Sequence, residues 1–361
     1  MGIKKLKDLI KKYAPSSITE VHLSNFRLKK VAIDVSLYLF RSKARANSRG
    51  MSDQWIVDFI YIVSCLRRHN IHPIFVYDSD APVEKDQRKK ERASKKQSLR
   101  ERVNIISSLL EKYYKTEEVD NLLLDFVDDQ KQELLAPGER VFNVSAAVSK
   151  LERLRSQIID VSTADFILTR NLFDVLGVPY VEAATEAEKT CSFLCKKNIV
   201  DAVLTEDSDV LAYGTKFFLY NLDTVKNTVT QIDFERVLQE MNITEDGFLD
   251  LCILCGTDYN YNMKGIGPEK SYQMITQYGS IENIESITDH FGNKKHDVTV
   301  LNYIRCRELF KSMKEEKEIH FRHTGVPQMA DISNFLEENG LLFNPKVVEN
   351  AFSPEKINLI D

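Results

Sequence analysis

Residues 30–34 read Lys30-Val31-Ala32-Ile33-Asp34, a short apolar run that stops on a carboxylate. A run this short, without polar alternation, fits a strand covered on both faces, as in a parallel sheet. The pattern returns at Pro73-Ile74-Phe75-Val76-Tyr77-Asp78. It returns again at Asp201-Ala202-Val203-Leu204-Thr205, followed by Glu206-Asp207-Ser208-Asp209. A fourth apolar run spans Phe217 to Tyr220. Helical patterns such as Ile56 to Arg68 separate these runs. Strands alternating with helices imply an α/β fold with a mostly parallel central sheet flanked by helices. Ligands of such sheets collect outside the carboxyl ends of the strands. Three strands ending on or just before Asp therefore bring their carboxylates to one place.

Outward from these strands the chain changes character. From about Glu84 to Arg155 it is strongly charged and helical in pattern, broken at Pro137-Gly138. Nine Lys and Arg lie between Lys85 and Arg102, opposed only by Asp86, Glu91 and Glu101. A solvated helix face accounts for such a run as well as a phosphate-binding face does. The middle of the stretch is acidic, with Glu117, Glu118, Asp120, Asp125, Asp128, Asp129 and Glu133. Placed between two sheet strands, it reads as a large helical insertion of the lid or clamp type. Beyond Asp246 the chain looks helical, interrupted by a Gly265-Ile266-Gly267-Pro268 turn. The expected organisation is an N-terminal region 1–104, a helical insertion 105–150, an internal region 151–275 and a C-terminal helical region 276–361.

The bulk properties exclude several classes. The 361 residues can bury a full core. No stretch approaches the roughly 18 unbroken apolar residues of a membrane span, so no membrane partner is expected. The opening Met1 to Pro15 lacks the apolar segment of a secretory signal. Scattered cysteines fit an intracellular protein. Cys252 and Cys255 form a lone C-x-x-C, better read as small core residues than as half a zinc site. A net charge of −5 argues against a basic coat protein for nucleic acid. No G-x-x-x-x-G-K-[ST] segment supports a nucleotide-hydrolysing enzyme.

Seven carboxylates stand at element junctions: Asp34, Asp78, Glu186, Glu188, Asp207, Asp209 and Asp258. Converging carboxylates repel and do not ionise together without a cation. Oxygen ligands in that number suit Mg²⁺ or Mn²⁺ rather than zinc. Two such ions about 3.5–4 Å apart are a common device for phosphodiester cleavage. Local alternatives exist. Thr185-Glu186-Ala187-Glu188 matches a capping box, with Thr185 as N-cap and Glu188 reaching back. Asp207 and Asp209 also suit a turn. The metal reading gains from covering all seven with one cause.

Taken together, these segments resemble the flap-endonuclease (XPG-type) family. MGIKKLKDLI and KKVAIDVSLYLF look like its N-terminal motif, and IFVYDSDAPVEK is similar to its strand-Asp-Gly-x-x-Pro-x-x-Lys block. ATEAEKTC looks like its paired glutamates, LTEDSDVLAYG like its paired aspartates, and LCILCGTDYNYNMKGIGPEKS like its last aspartate with the DNA-binding turn. The resemblance runs from residue 1 to about 350. It implies a PIN-like nuclease fold with the insertion as an arch, and a Mg²⁺-dependent enzyme holding two ions on the seven carboxylates, with Mn²⁺ able to substitute. It implies a structure-specific 5′-flap endonuclease with 5′–3′ exonuclease activity, serving DNA replication and repair. Lys85 and Arg92 sit where the family keeps its active-site cations, joining Asp34, Asp78, Glu186 and Asp207 in catalysis. DNA contacts are implied at Phe40, Glu186, Gly256, Asp258, Gly265, Gly267 and Lys270, with a potassium ion at the Gly265–Pro268 turn. Phe40 matches a base-stacking aromatic, although its own context equally suits a core Phe. Removal of Met1 would leave Gly2 as a free amine near the site.

Departures accompany the likeness. Ser79 follows Asp78 where the family has glycine, and Asp80 adds a charge. Ile62 and Cys65 occupy positions where arginines are expected. The arch is longer and more acidic than that of a cellular flap enzyme. The sequence stops at Asp361 without a sliding-clamp docking segment. The expectation is a diverged monomeric member, of large-virus type, acting on junction DNA in a nucleus or a viral replication site. Two readings compete: a bubble- or junction-cutting or purely exonucleolytic relative, and a catalytically silent DNA-binding protein.

Overall fold

The computed structural model describes residues 2–3, 5–79, 82–128, 142–287, 296–312, 321 and 325–352. Asp80, Asp129, Glu133 and the Pro137-Gly138 break lie outside them. Seven strands form one sheet: β1 Ile18–His22, β2 Lys30–Asp34, β3 His72–Tyr77, β4 Tyr180–Glu182, β5 Ala202–Leu204, β6 Phe217–Asp223 and β7 Thr228–Asp233. Their order is β1-β7-β6-β5-β2-β3-β4. β6, β5, β2, β3 and β4 run parallel, while β7 is antiparallel to β6 and β1.

The central strands are apolar throughout because both faces are covered. Successive residues of a strand point to opposite faces. Ala32, Ile74 and Val203, paired across β3-β2-β5, join a core with helices Leu6–Tyr13, Ala187–Lys196 and Glu245–Cys255. Their neighbours Val31, Ile33, Phe75 and Leu204 join the opposite core, under helices Val57–Arg68 and Thr163–Leu176. There Phe75 and Phe173 stack at 4.0 Å between ring centroids. Cys252 and Cys255 are buried and unbridged, in keeping with the core reading.

The four expected strands appear as β2, β3, β5 and β6. β1 carries only intermediate and exposed residues at the sheet edge, so it has no apolar run to announce it. After β7 the described chain is helical, including Pro268–Tyr278 and Tyr303–Lys311.

The insertion is rooted in one continuous helix, Asp86–Thr116, 31 residues long. The 104/105 division expected from sequence falls inside it. Its buried residues are Val103, Ile106 and Leu110, all in the distal half. The basic half near the sheet buries none, as befits a helix whose faces meet water. Distally, Val103, Ile106 and Leu110 pack with Leu123, Phe126, Ala147 and Leu151 in a third core separate from the other two.

That separation predicts local behaviour. Phe126→Ala, at a side chain only 3% exposed, is expected to cost about 3–5 kcal/mol in the outer core. Hydrogen exchange should quicken in the helices around Phe126 and stay unchanged in β2 and β3. Equal loss of protection in the sheet would mean that the two cores unfold as one.

Candidate active site

Asp34 ends β2 and Asp78 follows β3, while Asp207 and Asp209 follow β5; β5, β2 and β3 are adjacent and parallel. Their carboxylates therefore rise from one edge of the sheet. Each is also fixed by the backbone. Asp34 Oδ1 accepts from Leu37 N at 3.3 Å, capping helix Val35–Ser48. Asp78 Oδ1 accepts from Ala187 N at 2.7 Å, at the start of helix Ala187–Lys196. Asp207 Oδ1 accepts from Asp209 N at 2.9 Å. The turn reading of Asp207 thus holds locally and does not remove it from the cluster.

Asp34, Asp78, Glu186, Glu188, Asp207 and Asp258 line one cavity of about 380 Å³ together with Lys85, Arg92 and Phe40. Asp209 lies behind it, 2% exposed, with one carboxylate oxygen lacking any hydrogen-bond partner. Burial, reinforced by the neighbouring carboxylates, pushes the Asp34, Asp78, Asp207 and Asp209 carboxyls above their usual range. Burial and Glu188 raise Glu186 to about 7, against the pull of Lys85.

Two cations occupy this acidic space. Lys85, 8% exposed, donates to Glu188 Oε1 at 2.8 Å and pairs with Glu186 Oε1. Burial alone would lower its pKa, but Glu188 and Glu186 outweigh that and raise it. Arg92 Nη2 reaches both oxygens of Asp258, at 2.8 and 2.7 Å. The alternative capping box is not formed. Thr185 Oγ1 is buried without a partner, and Glu188 turns to Lys85 instead of the helix start. Phe40 is 40% exposed at the cavity rim, so the core alternative does not hold for it.

Among the described residues no three acidic, histidine or cysteine side chains already converge as a metal cage. The pairing of Lys85 and Arg92 accounts for this: carboxylates drawn onto ammonium and guanidinium groups are not drawn onto a common point. The donor set itself fits a hard divalent cation, being all carboxylate oxygen, largely buried and left with an unsatisfied Asp209 oxygen.

The remaining sequence candidates lie around Asp258 and beyond it. Gly256 ends helix Glu245–Cys255 with φ +87°, and a Cβ there would come within 3.2 Å of Asn262 N. Gly265 has φ +75° and its carbonyl accepts from Lys270 Nζ at 3.1 Å. Gly267 is extended, and nothing lies within 4 Å of where its Cβ would be. Gly2 has φ +89°, and a Cβ there would lie 2.3 Å from Asp207 Oδ1. Only glycine brings the backbone this close to the cluster.

Several side chains escaped the sequence reading. Tyr259 donates to Glu186 Oε2 and shares a 2.7 Å hydrogen bond with Tyr213. Arg88 stacks on Tyr261 at 4.1 Å and donates to Asn260 O at 3.1 Å, tying the root of the long helix to the Asp258 loop. A larger groove of about 820 Å³ is lined by Arg41, Arg45, Arg49 and Arg68 with Tyr38 and Tyr61. The i, i+4, i+8 spacing of the first three was the available signal.

The XPG N-terminal domain matches residues 1–99 and the XPG I-region matches residues 177–258. A probable RAD2-like endonuclease, 076L of Invertebrate iridescent virus 3, is 30% identical over 345 residues, 88% of this chain and 87% of that one. The chain belongs to the XPG-type flap endonuclease family. Flap endonuclease 1 of Salmo salar, another XPG-type relative, is 29% identical over 82% of this chain and 70% of its own length. Among solved structures, the catalytic core of Rad2 in complex with DNA substrate superposes with TM-score 0.66 at 20% identity, covering 98% of this chain and 99% of that one. That likeness establishes the XPG-type fold. Family membership makes the chain a DNA nuclease, a hydrolase of phosphodiester bonds.

The electrostatics predict a coupling between acid and metal. Glu186 is raised from 4.5 to about 7, so the folded protein binds more protons than the unfolded chain between those values. Its contribution is present below the unfolded pKa and lost as pH rises through the folded one. Metal-free protein should therefore lose stability from pH 4.5 towards 7, and Mg²⁺ should raise the melting temperature more at pH 8 than at pH 5.5. Melting curves with and without Mg²⁺ check this; an increment that grows on acidification contradicts it.

Proposed function

We propose that this chain is a Mg²⁺-dependent, structure-specific 5′-flap endonuclease with 5′–3′ exonuclease activity, cutting DNA at single-strand/double-strand junctions. One observation carries the reading: the acidic cavity with Lys85, Arg92 and exposed Phe40 on its walls, at the carboxyl edge of the sheet.

Asp34, Asp78, Glu186, Glu188, Asp207, Asp209 and Asp258 would hold two Mg²⁺, or Mn²⁺ in their place. When bound, such ions polarise the phosphate and lower the pKa of water. The chain's own groups do the rest. Lys85 and Arg92 now donate to carboxylates. Once those charges are otherwise neutralised, the same donors turn to the scissile phosphate, where charge develops in the transition state. Phe40 offers a ring face to an unpaired base at the junction, and stacking of this kind tolerates any sequence. The basic half of helix Asp86–Thr116 lies beside the cavity and follows the single strand.

Duplex parts of the substrate would rest on two surfaces. The Gly265–Pro268 turn, with Gly256 and Lys270 nearby, positions phosphates without reading bases. A potassium ion there would compete with Lys270 for the Gly265 carbonyl. The groove of Arg41, Arg45, Arg49 and Arg68 supplies a second basic surface where Ile62 and Cys65 supply none. In this reading residues 1–104 and 151–275 form the nuclease body, 105–150 the arch and 276–361 the C-terminal support. The protein acts as a monomer wherever DNA is replicated: a host nucleus or a viral replication site.

The test is cleavage of end-labelled 5′-flap, bubble, nicked and blunt DNA with and without Mg²⁺. Cutting near the flap junction that stops with chelator is expected; cutting of bubbles alone favours the junction-cutting alternative, and no cutting favours a silent DNA-binding protein. Lys85→Ala and Arg92→Ala should each slow single-turnover cleavage at least about tenfold, or about 1.4 kcal/mol of barrier. Mutants that bind weakly but cut bound DNA at the normal rate would return the basic run to a solvated face.

A second prediction concerns the turn. A side chain at Gly267 meets open space, so Gly267→Val should fold normally while standing in the way of a phosphate. Duplex affinity should fall, with the single-turnover rate on bound substrate unchanged. Unaltered affinity removes the turn from the binding surface.

A further inference from the structure

Glu186 divides its two oxygens between opposite partners. Oε1 faces Lys85, and Oε2 accepts from the Tyr259 hydroxyl. Tyr259 has a single hydroxyl proton. With that proton given to Glu186, its oxygen can only accept, so Tyr213 must be the donor in the 2.7 Å bond between the phenols. The order is therefore Tyr213 to Tyr259 to Glu186, three side chains from three separated segments of the chain. Tyr213 is 2% exposed and Tyr259 7% exposed, so water does not readily replace either bond.

The rings are held as firmly as the hydroxyls. Phe310, from helix Tyr303–Lys311, meets Tyr213 edge-on at 4.8 Å and Tyr259 at 5.1 Å between centroids. The Lys85 ammonium stands 5.1 Å from the centre of the Tyr259 ring. One aromatic pair thus touches the cation and the anion at the centre of the cavity, backed by a C-terminal helix. Lost bonds could not be remade by rotation alone, because the rings are locked between Phe310 and the carboxylate.

We propose that Tyr213 is a positioning residue: through Tyr259 it fixes Glu186 Oε2, leaving Oε1 as the oxygen that exchanges between Lys85 and a divalent ion. The inference rests on the nuclease reading given above and extends it to a residue that touches neither substrate nor metal. Partners of metal ligands commonly act this way, orienting the ligand and raising its affinity. Tyr213 sits at the end of the short helix Asp209–Ala212. Asp209 and this tyrosine therefore stand at the two ends of one short element.

The experiment compares the full-length protein with Tyr213→Phe, Tyr259→Phe and the double variant. Phe keeps each ring against Phe310 and removes one hydroxyl. Two quantities are read: Mn²⁺ affinity of the DNA-free protein, from the spin-resonance signal of unbound Mn²⁺, and the single-turnover rate on a 5′-flap. Tyr259→Phe should weaken both about tenfold, a loss typical of a ligand-orienting group. Tyr213→Phe should weaken both by less, about three- to fivefold, the scale of one hydrogen bond lost at one remove from the ligand. The double variant should match Tyr259→Phe, because Tyr213 acts only through Tyr259. Flap affinity should stay at the parental value. Parental Mn²⁺ affinity and rate in Tyr213→Phe would reduce the residue to packing and overturn the proposal, as would losses that multiply in the double variant. A parent that binds Mn²⁺ but cuts no DNA would instead sink the nuclease reading and leave the hydroxyl chain to be judged on Mn²⁺ affinity alone.

Discussion

Mutual repulsion among carboxylates is the constraint around which this molecule is arranged. Six acids line one cavity beside the ends of parallel strands, Asp209 lies behind it, and four of the seven are buried. Such a cluster cannot stay fully ionised without positive charge among its members. Lys85 supplies part of it between Glu186 and Glu188, and Arg92 supplies part at Asp258. Both come from the root of the insertion. The root of the insertion is therefore bound to the sheet by the charges that fill the acidic cavity.

Backbone amides share the task of holding the acids in place. Asp34, Asp78 and Asp207 each give one oxygen to a main-chain N–H at the start of a helix or turn. Helix starts favour negative charge there. The directions of the remaining oxygens are thereby set in large part by secondary structure. The Asp78 bond is the most economical, since a strand carboxylate caps the helix that carries Glu188.

The sequence made the sheet centre and the acids legible for a common reason. A doubly covered strand must be apolar, and an Asp at its end breaks that pattern visibly. β1 was not legible because an exposed edge strand needs no apolar run. The capping box offered as an alternative at Thr185 fails because local pairing loses to an ion pair: Lys85, 103 positions away, takes Glu188. Tyr213 and Tyr259 could not be read as partners, since their bond exists only once distant segments have packed. Phe40 was undecided between core and surface, and only its exposure separated the two.

The insertion's own apolar centre has an evolutionary meaning. Val103, Ile106, Leu110, Leu123 and Phe126 bury one another without sharing a buried residue with the two cores of the sheet. Substitutions can accumulate there, and segments can lengthen, without disturbing the packing beneath Asp34 or Asp78. The packing beneath the acidic cavity is thus insulated from the outer half of the insertion. A lineage can remodel this outer module while inheriting the sheet and its acidic edge intact.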